Sequence, residues 1–176
     1  RTFETSSVEP ITMLKVYEIE NSNLVKRDSL EALTGLDAWI DMIEPLPEEI
    51  GQVERMIGIS IPTRAEMREI ETSNRLYIEH GALVMTGIMA HLIDRETPEF
   101  SALTFILSGQ LLVTIRYFEP RAFPLFLQRV EAGDADIETA VSVLVGLLES
   151  LVQRMADSIE HIQDAVNRIG PSIFSF

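Results

Sequence analysis

The sequence predicts an α+β domain that carries one long C-terminal helix. Three observations point there. Short alternating apolar segments are separated by turn residues, and after position 136 the apolar spacing switches to steps of three and four. The 176 residues are also 46% hydrophobic, enough for one real core. The organisation reads as a loose leader at 1–10, a core at 11–135, and a helical extension at 136–169 packed on that core.

Ile11–Glu20 alternates on both faces, with Ile11, Met13, Tyr17 and Ile19 opposite Leu14 and Val16, and reads as a strand. Asn21-Ser22-Asn23 is turn chemistry, so Leu24–Lys26 returns as a short partner strand. Ser29–Leu33 reads as one helical turn stopped by Gly35, and Ala38–Ile43 as a third strand that brings in the only tryptophan, Trp39. Pro47 opens a helix to Ile57, with Ile50, Val53 and Ile57 on its buried edge and Gly58 past its end.

The stretch Ile61–Gly87 holds the strongest local signal. Thr63 followed three residues later by Glu66 is a capping box opening a short helix, Arg64–Ile70, with Ala65, Met67 and Ile70 as its apolar residues. That helix presents Glu66, Glu69 and Glu71 beside Arg64, Arg68 and Arg75. The period then changes: Leu76 and Ile78, and beyond a His80-Gly81 turn Leu83 and Met85, alternate like a strand pair with one face on a core. A strand Leu83–Ile93 and a loop Asp94–Pro98 follow, then strands Ser101–Leu107 and Gln110–Tyr117 around Ser108-Gly109.

Arg121–Glu131 reads as a helix with Pro124 in its first turn. Gly133 and Asp134 break it, and Asp136 can cap the next. The long helix, Ile137–Ile169, has a seam at Ile137, Val141, Leu144, Leu148, Leu151, Met155, Ile159, Ile162, Val166 and Ile169, suited to packing another helix. Gly170-Pro171 ends or kinks it. Glu149, Asp157, Glu160 and Asp164 share another face, an acidic stripe that reads either as a solvated surface or as a cation site.

Composition excludes several functions. With 28 Asp plus Glu against 14 Lys plus Arg, the formal charge is −14, which disfavours nucleic acid and anionic membrane surfaces. There are no cysteines, so thiolate metal sites and disulfides are out. No apolar run approaches the roughly 18–20 residues of a membrane-spanning helix. His80, His91 and His161 stand far apart and form no paired-ligand motif, and no nucleophile elbow or phosphate-binding loop appears. An enzyme therefore has little support, although an unrecognised hydrolase stays open. What remains is carboxylates. Hard cations such as Mg²⁺ take oxygen ligands and keep several waters, so a site needs only a few acids across an interface. For Glu66, a capping role and a metal role stand side by side.

The succession AWIDMIEPLPEE, IGISIPTRAEMREIETSNRLYIEHGALVMTG, LTFILSGQLLVTIRYFEPRAF and the long helix resembles the cytosolic domain of the CorA family of magnesium transporters, closest to its enterobacterial-type branch. The resemblance spans about Ile11 to Asn167. It implies an α/β/α sandwich with a mixed, largely antiparallel sheet. It also implies the cytosolic regulatory part of a homopentameric Mg²⁺ (or Co²⁺) transporter at the bacterial inner membrane. The membrane stalk and pore helices of the family would lie outside this sequence, and both ends read as cut edges of a longer protein. The resemblance leaves open whether this chain alone is monomeric.

By the same resemblance, weakly bound regulatory ions are shared between subunits. The sensing acid falls on Glu66, and a second falls on Glu149, or on Ser150 if the alignment is offset by one. A further partner sits on the stalk. Two departures stand out: Leu46 replaces a threonine N-cap, and His80 stands where acids are frequent. A related zinc transporter, with Zn²⁺ as the sensed ion, and a stand-alone cation-binding module are the alternatives.

Overall fold

The computed structural model describes residues 14–68, 71, 75–91 and 99–173, with side chains described throughout these except at 91, 161, 164–166 and 168–173. Positions 11–13, Glu69, Ile70 and the expected loop Asp94–Pro98 therefore lie outside the described residues. So do the side chains of His91, His161, Asp164, Val166 and Ile169.

Seven strands form one sheet: β1 Leu14–Glu20, β2 Asn23–Arg27, β3 Ala38–Ile43, β4 Leu76–Glu79, β5 Ala82–His91, β6 Glu99–Ser108 and β7 Leu111–Arg116, in the order β2-β1-β3-β7-β6-β5-β4. Two antiparallel blocks meet at its centre. The β1–β2 hairpin with β3 is one, the β4–β7 meander is the other, and the parallel pair β3·β7 joins them. Tight hairpins come from left-handed turn residues, Asn21 and Ser22 at φ 50° and 61°, and His80 and Gly81 at 47° and 85°. Such turns match the twist of the strands they link.

Helices cover both faces, so the sheet is the middle layer of an α/β/α sandwich. On one face, α1 Pro47–Ile57 and the short α2 Arg64–Arg68 bury Val53, Ile57 and Met67 against Ile40, Val84, Ile106 and Val113. On the other, α3 Ala122–Glu131 and α4 Ala140–Ile173 bury Phe123, Phe126, Val143 and Leu147 against Trp39, Leu103 and Leu112. A single 3₁₀ turn, Leu30–Ala32, stands where the helical turn was expected. Pro47 occupies the start of α1 and Gly58, at φ 75°, ends it. Leu46 offers no side-chain acceptor. Only half a capping box survives there, the Leu46 N–H donating to Glu49 Oε2 at 2.8 Å. Helices α3 and α4 lie so close that a Cβ at Gly146 would strike the buried Phe126 ring.

Four expectations need correction. First, β4 pairs with β5 as expected, Leu76 with Met85 and Ile78 with Leu83, but Leu76 and Ile78 point outward, 61% and 75% exposed. The core takes the alternate residues, Tyr77, Ala82 and Val84, because α1 and α2 cover that face. Second, α4 starts at Ala140 and not at Ile137: Ile137 is buried ahead of the helix, and the Glu138 and Thr139 N–H groups are satisfied by the Ser142 hydroxyl, which sets the helix start after them. Thr139, not Asp136, caps the helix, accepting from the Ser142 N–H at 3.3 Å. Third, the helix runs to Ile173 through Gly170-Pro171, where the proline forfeits one ladder bond in the final turn.

The fourth correction concerns the seam. The buried face of α4 is Ala140, Val143, Leu144, Leu147 and Leu151, whereas Val141, Leu148, Met155, Ile159 and Ile162 are exposed. The apolar arc of α4 is wide enough to serve two contacts, and the body of the domain uses only one of them.

Candidate functional site

The capping box forms as its spacing requires. Thr63 donates both its N–H and its hydroxyl to Glu66 Oε2, each at 2.8 Å, and Oγ1 accepts the Glu66 N–H at 3.3 Å. The backbone donor of Thr63, then its hydroxyl, hold the Glu66 carboxyl below its ordinary pKa, so it is ionised at neutral pH. Both donors go to Oε2. Among the described residues, Oε1 of this exposed side chain meets no donor, and the capping and ligand roles are therefore compatible. Buried Met67 and Ile61 anchor the turn, Ile61 through its N–H to Glu54 at 2.8 Å. The surroundings are polar-aromatic. Arg64 lies 4.9 Å over the Tyr117 ring, and the Tyr77 phenol is raised by burial first, then by the Glu79 and Glu66 charges.

The acids of α4 are distributed differently. Glu149 is exposed, whereas Ser150 points inward, donating to the Gly146 carbonyl at 2.8 Å and meeting Arg129 at 3.5 Å. Of the two alternatives at this level only Glu149 can reach a hydrated ion. Asp157 is exposed but engaged by Arg154 at 3.4 Å, one turn back, and Glu160 is exposed. His80 sits at an exposed turn, 3.9 Å from Glu79. Among the described residues, no three His, Asp or Glu side chains come together as a metal-binding group, and no helix is long and apolar enough to cross a membrane.

The decisive geometry is topological. Glu66 rides on α2, which packs on the face holding Ile40 and Ile106, and Glu149 rides on α4, which packs on the face holding Trp39 and Leu112. The sheet stands between them. Within one chain they cannot share an ion.

Sequence reasoning missed a buried polar relay. Arg116 and Asp41, 1% and 2% exposed, form a two-pronged pair: Nε to Oδ1 at 3.0 Å and Nη2 to Oδ2 at 2.8 Å. Thr114 donates to Asp41 Oδ1 at 2.8 Å and accepts from the Trp39 indole at 3.0 Å. Outward, Arg116 reaches the Phe118 carbonyl and Glu119, at 2.9 and 2.7 Å, beneath the Phe123 ring. Burial opposes the Arg116 charge, but Asp41 and Glu119 outweigh it and raise its pKa. Burial, then the Asp41 charge, pushes Tyr17 up to about 12. The available signal was an acid in AWIDMI and an arginine in VTIRYF, each inside an apolar strand.

Residues 38–175 match the family model described as CorA-like Mg²⁺ transporter protein. The chain belongs to the CorA family. It is 30% identical over 151 residues to the magnesium transport protein CorA of Sodalis glossinidius, covering 85% of this chain and 48% of that protein. It is 27% identical over 158 residues to CorA of Salmonella typhimurium, covering 89% and 50%. The chain thus spans about half the length of these relatives. The complete CorA structure from Methanocaldococcus jannaschii superposes with a TM-score of 0.72 at 16% identity, over 95% of this chain and 53% of that one. The ZntB cytoplasmic domain from Vibrio parahaemolyticus gives 0.62 at 11% identity, over 88% and 63%. These likenesses show the CorA soluble-domain fold, which the sheet and long helix reproduce.

Proposed function

We propose that this chain is the cytosolic divalent-cation-sensing domain of a CorA-type magnesium transporter at the inner membrane, and that it acts as part of a homopentamer. The observation that carries the reading is Glu66, an ionised, exposed carboxylate whose Oε1 meets no donor among the described residues, in a chain of this family. Because the sheet separates Glu66 from Glu149, the two would meet only between neighbouring copies, Glu66 of one and Glu149 of the next. The same opposite-face arrangement suits a head-to-tail ring, in which one face of each subunit meets the other face of its neighbour. Glu66 and Glu149 would hold the ion as single-oxygen ligands, consistent with a hard cation that keeps most of its waters. A bound Mg²⁺ supplies charge neutralisation between copies.

Without that neutralisation the carboxylates repel across the interface, in a chain already at −14, and the closed ring loses population. The test is transport by the full-length protein as Mg²⁺ is varied. Glu66→Ala removes both cap and ligand, and Thr63→Ala removes the hydroxyl but keeps the carboxylate. Closure by Mg²⁺ should weaken in Glu66→Ala and persist in Thr63→Ala. Equal loss of stability in both, with ion sensitivity unchanged, would leave Glu66 as a cap only. Running the same flux assay with Zn²⁺ and Co²⁺ decides between this reading and a zinc transporter of ZntB type.

A further inference from the structure

Helices α3 and α4 face one another across a groove through matching spacings. On α3 the lining positions are Leu125, Gln128, Arg129 and Ala132, and on α4 they are Ser150, Gln153, Arg154 and Asp157. Each set runs i, i+3, i+4, i+7, the stripe by which a helix meets a neighbour. Such a stripe is ordinarily apolar and closes the contact, as it does where Phe126 lies against Gly146. Here polar and charged side chains stand in its place, and a groove of about 390 Å³ stays open between the helices.

The groove holds an uncompensated cation. With 28 acids for 14 Lys and Arg, an arginine without an acid is the exception in this chain. Arg129 is half-buried, and among the described residues it pairs with no carboxylate. Its side chain donates there to Ser150 Oγ at 3.5 Å, the outer limit of such a bond. Ser150, 5% exposed, gives its own proton to the Gly146 carbonyl and so turns a lone pair towards Arg129, holding the guanidinium from below. Most of the Arg129 N–H donors are left for solvent or a ligand.

Arg154 enters from the facing helix. Its contact with Asp157 is a single 3.4 Å approach between partly exposed groups, a weak pair that a doubly charged ligand can replace. Asp134 also borders the groove, but among the described residues it pairs with neither guanidinium. The Gln128 and Gln153 amides add neutral donors. A carboxylate offers one edge, which a single planar fork fills, whereas a phosphate group has oxygens for a fork from each helix. The charge of −14 repels anions at long range, so only a local concentration of donors can hold one.

We propose that the α3–α4 groove binds a phosphate group, free or as a monoester, between Arg129 and Arg154. Arg154 lies one turn past Leu151, the last buried side chain of α4 among the described residues. A ligand there ties α3 to α4 at the point where the long helix leaves the body of the domain. This site is independent of the cation reading. Its readout is anion binding to the 176-residue chain, whereas the Glu66 test reads transport, so either can fail alone.

Calorimetric titration of the chain with inorganic phosphate, against sodium chloride at equal ionic strength, should show saturable one-site binding. Arg129→Gln and Arg154→Gln should each weaken it by ~10-fold or more, the loss of charge-assisted hydrogen bonds. Asp157→Asn should tighten it severalfold, by freeing Arg154 and removing a like charge from the rim. Arg55→Gln, at an exposed arginine of α1 across the sheet, should leave it unchanged. None of these four side chains is buried, so circular dichroism should stay that of the parent. Adenosine monophosphate, titrated in the same way, separates the two sources. Tighter binding than inorganic phosphate assigns an ester whose organic part lies along Leu125 and Ala132, and equal or weaker binding assigns the free ion. No saturable binding in the parent chain, or equal weakening by Arg55→Gln, would overturn the proposal. Weaker binding in Asp157→Asn would overturn it as well.

Discussion

The two faces of the sheet are closed by the same kind of material and end in different states. On one face α1 and α2, of 11 and 5 residues, are short enough to lie within the sheet, and their apolar residues Val53, Ile57 and Met67 are spent on it. On the other, α4 has 34 residues, about 51 Å of helix at 1.5 Å per residue. Only its first three turns or so have sheet and α3 beneath them. Past Leu151 the helix keeps its apolar density, but Met155, Ile159 and Ile162 border an open groove with Met89, Phe100 and Phe118 and stay exposed. A short amphipathic helix is completed by its own domain, whereas a helix that outruns the sheet carries apolar surface that the domain cannot satisfy. The short-helix face is where a carboxylate is displayed on a closed surface, and the long-helix face is where apolar side chains stay exposed.

The sharpest break of this contrast is deep under α3. Asp41→Ala leaves Arg116 as a buried charge with its main partner removed, and should cost ~3–5 kcal/mol in urea unfolding. Replacing both partners by apolar residues of similar volume should recover most of that loss. A cost under ~1 kcal/mol for Asp41→Ala would mean that water reaches the pair and that the long-helix face is loosely closed.

The β1–β2 end of the sheet gives a pH-dependent counterpart. Glu18 accepts from Arg27 at 2.6 Å, from the Thr34 N–H and hydroxyl at 2.9 Å each, and from the Gly35 N–H. Burial works to raise its pKa, but these donors outweigh it and hold it at about 2, against 4.5 ordinarily. The folded value is the depressed one. The contribution is therefore fully present above about pH 5 and is lost as pH falls from there through about 2. Stability measured across that window should fall less steeply in Glu18→Gln than in the parent. Parallel curves would show that the carboxylate is not what pins residues 34–35.

Much of this architecture was legible because local chemistry and period agree. Ala38–Ile43, the Pro47 start, the Gly58 stop and the Thr63–Glu66 box depend on neighbours within a few residues. What was illegible depends on which face the rest of the chain covers. Leu76 and Ile78 alternate as a strand should, yet nothing in β4 says that α1 and α2 will sit on the Tyr77 side. The α4 seam was misassigned because one helix carries two interleaved apolar stripes. Leu144 and Leu151 belong to one stripe and Leu148 and Met155 to the other, and spacing alone permits a path that crosses between them. Glu66 stands out by its capping box and Glu149 by the acidic stripe, and the resemblance gives both a sensing role, but that a sheet divides them follows only from topology.

The smallest expected effect is also the one that bears most directly on the two stripes. Leu144 and Leu148 are the same residue type, one helical turn apart, on the same helix, and 6% and 37% exposed. Leu144→Ala should cost ~2–5 kcal/mol, the usual range for emptying a packed site. Leu148→Ala should stay within ~1 kcal/mol, because part of its side chain already faces water. If the two substitutions cost the same, the outer stripe is packed by this domain itself, and the distinction between the two stripes disappears.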